Sequence, residues 1–175
     1  MIRSITLAFA CSLALAAGAR TDQITDLFVL EGRVLELDVV NNTDKPASKV
    51  QVIIYQDNEI YVAFFTQANG YYEFHLPLGH EYEIQFGGDA YVNKRAYIDA
   101  REVKPRAGQT EIALDMGLFK PIENVPFEIL KEPIVRFAWD TEYGHFLPDL
   151  DHAGDMAREL EKTLRKVRKT GTTGN

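Results

Sequence analysis

Four histidines, a scatter of carboxylates and a single serine downstream of residue 20 are the side chains in this chain whose types could do chemistry. A zinc centre needs three or four converging ligands, usually with short fixed spacing between pairs. His75 and His80 fall on a predicted hairpin, and His145 and His152 fall near Asp140, Glu142, Asp149 and Asp151, with no His-x-x-x-His pair. The spacing predicts exposed, non-ligating histidines and no metal. A calcium loop repeats Asp-x-Asp-x-Asp-Gly; Asp149-Leu150-Asp151 is only a fragment of it and reads as a helix cap. No Gly-x-Ser-x-Gly is present, and Ser48, beside Pro46, is the one serine from which a Ser-His-Asp site could start. A glycosidase needs two carboxylates facing one cleft, whereas the strand carboxylates here alternate outward. A glycine-rich phosphate loop is absent. The expectation is no catalytic residue, no cofactor and no metal, with a hydrolase as the weakest of three readings.

Aromatic side chains leave more room for function. Tyr61, Phe65, Ile53 and Tyr55 fall opposite the phase of the predicted core, so two strands read as apolar on both faces. Either a later segment covers that surface, or it stays open and binds a partner or a sugar. The favoured expectation is cover by the C-terminal segment, through Phe137, Trp139 or a helix face. Trp139, Tyr143 and Phe146 are the candidate stacking platforms if the ligand is a carbohydrate.

The elements that must carry these residues are mostly strands. Phe28–Glu36 reads as the first, with Gly32 marking a bulge or a close backbone approach. Asn41 to Pro46 reads as a loop by its turn residues. Strands follow at Lys49–Gln56 and Glu59–Thr66, turned by Asp57-Asn58. The strongest period-2 signal is Tyr72, Phe74, Leu76 and then Tyr82, Ile84, Phe86, each alternating with polar neighbours around Pro77-Leu78-Gly79. Tyr91–Asp99 and Glu111–Leu118 complete a set of seven. One apolar and one polar face per strand predicts an antiparallel sandwich over residues 20–118. Residues 119–150 read as an irregular extension with a hairpin at Ile134–Gly144. From 151 to 169, Met156, Leu160, Leu164 and Val167 follow helical spacing, and 170–175 read as a disordered tail.

The chain opens with Arg3, an apolar stretch over residues 5–17 and Ala17-Gly18-Ala19. That is the layout of a secretory signal peptide cleaved after Ala19, and the stretch is too short to span a bilayer. Cys11 lies inside it behind Ala8-Phe9-Ala10, a poor lipid-attachment box. The rest of the chain has no cysteine, so its stability comes from its core without disulfides. The net charge is −7, and the leader's only charged side chain is Arg3. An acidic chain is a poor match for phosphate backbones, so nucleic acid is excluded as a partner. The basic run Lys162, Arg165, Lys166, Arg168, Lys169 reads as a solvated helix end favoured by the helix dipole.

The segment Thr66-x-x-x-Gly70-x-Tyr72-x-Phe74, with Gly32-x-Val34, Pro46-Ala47, Val50-x-Val52, Gly79 and Tyr91 around it, resembles the carboxypeptidase regulatory-like domain family over residues 28–118. The resemblance implies a seven-stranded antiparallel Greek-key sandwich of transthyretin-like fold. It further implies a folding, adhesive or carbohydrate-binding-like module that performs no chemistry. Phe127–Asp140 is similar to the tail of small exported proteins of Bacteroidetes-type bacteria. The sequence thus predicts an all-β exported module, periplasmic or extracellular, ending in one amphipathic helix. It acts on an unidentified protein or envelope partner, with carbohydrate as the alternative ligand.

Overall fold

The protein is described by a computed structural model that covers residues 26–103 and 110–171. The expected leader 1–19 with its Cys11 and the last residues of the expected tail, 172–175, lie outside the described residues. Two sheets face each other. The first is organised around strand β1, Leu27–Asp38. On one edge it pairs antiparallel with β2, Thr43–Pro46, and β5, Tyr71–Pro77. On the other edge β8, Thr110–Ala113, and β9, Met116–Leu118, run parallel to it. Phe28 opposite Thr110 and Val34 opposite Met116 keep one offset, so β8 and β9 act as a single edge strand broken at Leu114 and Asp115. At the break, Arg33 N–H donates to the Asp115 carboxylate at 2.8 Å, so a side chain stands in for the missing ladder carbonyl.

The second sheet has the order β11-β10-β7-β6-β3-β4. Its strands are β3 Gln51–Gln56, β4 Glu59–Phe65, β6 Glu81–Gly87, β7 Lys94–Asp99, β10 Val135–Asp140 and β11 His145–Pro148. The fold is therefore a two-sheet β-sandwich with one C-terminal helix, but three expectations are corrected. Eleven strands replace seven among the described residues. The sheets are mixed, because β8 and β9 run parallel to β1 and β10 runs parallel to β7. The region 119–150 carries the expected hairpin, as β10 and β11, but that hairpin belongs to the sandwich and is not an extension of it: it widens the second sheet and buries Phe137 and Phe146 in the main core. The stretch read as a loop at 41–46 also contains β2, whose four residues are all exposed.

The core follows from the alternation. Phe28, Leu30, Val34, Tyr72 and Leu76 of the first sheet meet Val52, Ile54, Tyr82, Ile84 and Phe86 of the second. Phe28 stands edge-on to Tyr82 with centroids 5.7 Å apart, and Tyr72 lies 5.4 Å from Phe86. Of the five residues expected inside, Tyr72, Tyr82, Ile84 and Phe86 are buried and Phe74 is half-buried. Burial of each such side chain contributes about 1.5–3 kcal/mol. At Gly32 the backbone approach is close, because a Cβ there would sit 2.0 Å from the Leu114 carbonyl oxygen. That carbonyl accepts the Tyr72 hydroxyl at 2.5 Å. Gly70 takes a φ of 77°, which suits the turn entering β5.

Among the described residues one charged side chain, Lys94, is buried in the interior. The Lys94 ammonium donates to Gly117 O and lies 5.1 Å above the Phe119 ring. Burial pushes its pKa down to about 8.

Helix α1, Leu150–Gly171, runs past the expected end at 169. Asp149 caps it by accepting His152 N–H at 2.9 Å. Its apolar stripe does not cover Ile53, Tyr55, Tyr61 and Phe65 as expected. Leu160 and Leu164 pack instead on a second cluster with Phe119, Leu130, Ile122, Phe127, Leu37 and Val39. A 3-10 turn at Glu128–Lys131 supplies Leu130 to that cluster. The Arg168 guanidinium, donating to Val39 O at 2.8 Å, fixes the far end of the helix to the end of β1.

Candidate functional site

Strand β4 begins at a two-residue turn in which Asp57 and Asn58 both have positive φ, 50° and 69°. That is the conformation tight hairpins require, and Asp and Asn tolerate it. The Asp57 carboxylate anchors the turn by accepting Glu81 N–H at 3.1 Å and bonding His80 Nδ1 at 2.5 Å. The bond to His80 is the chief reason its pKa lies below the ordinary carboxylate value. Along the strand, Gln51 pairs with Phe65, Ile53 with Ala63 and Ile54 with Val62, but Tyr55 pairs with Ile60. Tyr61 is the extra residue of a β-bulge. On the inner side, Phe64 lies 3.9 Å centroid to centroid from Phe74 of β5. On the solvent side, Ile60 is 66% exposed, Phe65 65% and Tyr61 48%. Ile53 and Tyr55 beside them are half-buried. Two residues expected at a ligand surface, Tyr61 and Phe65, thus share one exposed apolar strand. Ile60 joins them and was not read from the sequence; the signal was the unbroken run Ile60–Phe65, in which no polar residue marks an outer face.

The other three candidates separate. Trp139 and Phe146 are paired across β10 and β11 with rings edge-to-face at 5.4 Å. Phe146 also lies 5.2 Å from Phe28 and is only 7% exposed, so it is a core residue and not a stacking platform. Trp139 is half-buried against it, and Tyr143 stands at the hairpin tip, 66% exposed, with its ring 5.9 Å from that of His145. The tip is built by Asp140, whose carboxylate accepts Glu142 and Tyr143 N–H groups, both at 2.8 Å.

A shallow groove of about 360 Å³ runs along β7, β10 and β11, lined by Tyr97, Asp99, Arg136, Trp139 and Asp149 among others. Its polar groups are engaged within the protein. The Arg101 guanidinium sits 2.6 Å from Asp99 and holds that carboxyl below its usual range. Tyr97 donates to Glu81 at 2.8 Å, and its pKa is pushed up to about 12 by burial first and that carboxylate second. Arg136 bonds Glu132 at 3.3 Å.

The groups that suggested chemistry do not assemble. His75 lies 3.1 Å from Glu73 on the outside of the first sheet. His80 faces Asp57, while Ser48 sits in the turn between β2 and β3. His152 meets Pro133 O at 2.6 Å. Among the described residues no three His, Cys, Asp or Glu side chains gather where they could hold a metal ion. Among those residues no helix is long and apolar enough to cross a membrane.

No family model and no curated protein matches the chain. Solved structures share a likeness at low identity. The minor pilin of Streptococcus agalactiae is 13% identical, with 58% of this chain and 48% of that one covered at a TM-score of 0.40. Catechol 1,2-dioxygenase of an Acinetobacter species is 13% identical over 68% and 60% of the two chains at 0.42. A 3-chlorocatechol 1,2-dioxygenase of Rhodococcus opacus is 14% identical over 58% and 63% at 0.41. This chain spans less than two thirds of each of them. Likenesses at this level carry no argument about function.

Proposed function

We propose that the protein is an exported, non-enzymatic β-sandwich module, of the carboxypeptidase regulatory-like type, that works by contact with a protein or envelope-surface partner through strand β4. The observation that carries this reading is the row of Ile60, Tyr61 and Phe65 on an edge strand that no described element covers. A monomeric soluble protein rarely leaves such a row open without a use for it. Export rests on the leader-like start of the chain. The test of export is mass spectrometry of the protein from its host: a chain starting within a few residues of Arg20, without lipid, supports it, and a diacyl group on Cys11 contradicts it. The test of contact is capture from envelope extracts. Phe65→Lys should lose the captured partner while Tyr143→Ala keeps it, and equal capture by both variants would contradict the assignment to β4.

A second reading has one observation in its favour. The half-buried Trp139 lines the groove along β7, β10 and β11, and aromatic faces stack on sugars. A glycan array on which Trp139→Ala abolishes a signal that Phe65→Lys retains would favour it over the first.

A further inference from the structure

We infer that the partner seated on β4 is a second copy of this chain, joined edge to edge in an antiparallel two-fold arrangement centred on Ala63; this rests on the reading of β4 as the contact surface. The direction of the backbone groups comes first. Asp57 N–H donates to Glu81 O at 3.0 Å, and Thr66 N–H donates to Val50 O at 2.9 Å. Antiparallel ladders alternate, so odd-numbered residues of β3 address β6 and even-numbered ones address β4. Phe64 and Val62 are the partners of Val52 and Ile54 and turn their N–H and C=O groups inward. Ala63 and Phe65, opposite Ile53 and Gln51, therefore point theirs at the free edge. Among the described residues no strand pairs that edge.

The other edges are guarded, and the Ala63–Phe65 end of this one is not. β2 reads Thr-Asp-Lys-Pro, and β5 carries Glu73, His75 and Pro77. β11 ends on Pro148, and β8–β9 is interrupted at Asp115. Charge, proline and short length are the usual protections of a sheet edge. From Ile60 to Tyr72 the chain carries no charged residue. The protective features of β4 are the exposed Glu59 and the bulge at Tyr61, and both lie at the end away from Phe65.

The identity of the occupant follows from self-complementarity. A two-fold axis through Ala63 sets the smallest side chain of the strand against itself. Each Phe65 then lies across from Tyr61 of the other copy, an aromatic cross-strand pair of the kind that stabilises sheets. Glu59 falls across from Gln67, so no like charges are opposed, although the chain as a whole carries −7. A closed isologous contact of this kind needs no further partner.

Sedimentation velocity of the purified protein across a wide concentration range reads the association, and residue-resolved amide exchange reads its geometry. The expected result is a monomer–dimer equilibrium. Ala63 and Phe65 amides should gain protection as concentration rises, while Val62 and Phe64 stay protected throughout. Phe65→Lys should raise the dissociation constant by about tenfold or more, equivalent to ~1.4 kcal/mol. Ala63→Pro, which removes an edge N–H, should abolish the dimer, and Phe65→Lys guards against misfolding of that variant. A protein that stays monomeric, or a dimer in which Ala63 and Phe65 exchange unchanged, overturns the inference. If the monomer still loses its envelope partner on Phe65→Lys, the contact reading stands and only the second copy falls.

Discussion

Helix α1 and strand β4 both carry apolar side chains that the main core does not use, and the molecule disposes of them in opposite ways. Leu160 and Leu164 of the helix close a second cluster over Phe119 and Leu130, with Arg168 bonded back to Val39. Ile60, Tyr61 and Phe65 of β4 stay in solvent. The two stripes do not cover each other. The helix starts directly after β11, at the edge of the second sheet opposite β4, and is held there by the Asp149 cap and by His152 against Pro133. A stripe buried near its own point of entry is structural. One left open on an unpaired edge is available for contact.

The largest effect that would break this contrast concerns the helix. Leu164→Ala should cost about 2–5 kcal/mol in chemical denaturation, the range for a well-buried leucine. A loss under about half a kcal/mol, as expected of surface positions, would mean that the helix does not pack.

The pH dependence sharpens the same contrast at the seam under Phe119. Lys94 has a pKa near 8 in the folded protein against an ordinary 10.5. Between those values the unfolded chain binds the extra proton, so stability rises as the pH is raised through the window. A shift of this size corresponds to about 3 kcal/mol. Tyr72 and Tyr82, whose hydroxyls are pushed above their ordinary 10.0 by burial, reverse the trend at higher pH, where the unfolded tyrosines ionise first. Urea titrations from pH 7 to 10 should show the rise in the parent, and Lys94→Met should flatten it. A flat parent profile would mean that the seam admits water.

The smallest effect belongs to β4. Phe65→Lys should change stability by no more than about 0.5 kcal/mol, measured on dilute protein so that association does not contribute. A loss of several kcal/mol would make Phe65 a core residue and remove it from the candidate surface.

The sequence was legible where the pairing is local. The alternation in 71–77 and 81–87, the turn at Asp57-Asn58 and the helical spacing from Met156 to Leu164 each appear in the structure as read. Contacts between distant segments were not legible. β10 joins β7 in parallel some forty residues downstream of it, and no local pattern announces such a partner. β2 escaped because Thr-Asp-Lys-Pro has the composition of a loop, and its pairing rests on β1 alone. Phe146 was misplaced because four-residue β11 is too short for alternation to mark its inner face. Tyr61 and Phe65 were legible as lying outside the core phase of Val52 and Ile54, but their exposure was not, because the expected cover by the C-terminal helix depends on where that helix packs.

The central claim is that β4 is where this protein is touched and the β10–β11 hairpin is not. A photo-crosslinking amino acid placed at position 65, and separately at 143, in protein expressed in its host tests it directly. Both positions are about equally exposed, at 65% and 66%, so exposure alone favours neither. The account predicts a discrete crosslinked adduct from position 65 and none from position 143. An adduct from 143 with none from 65 would contradict it.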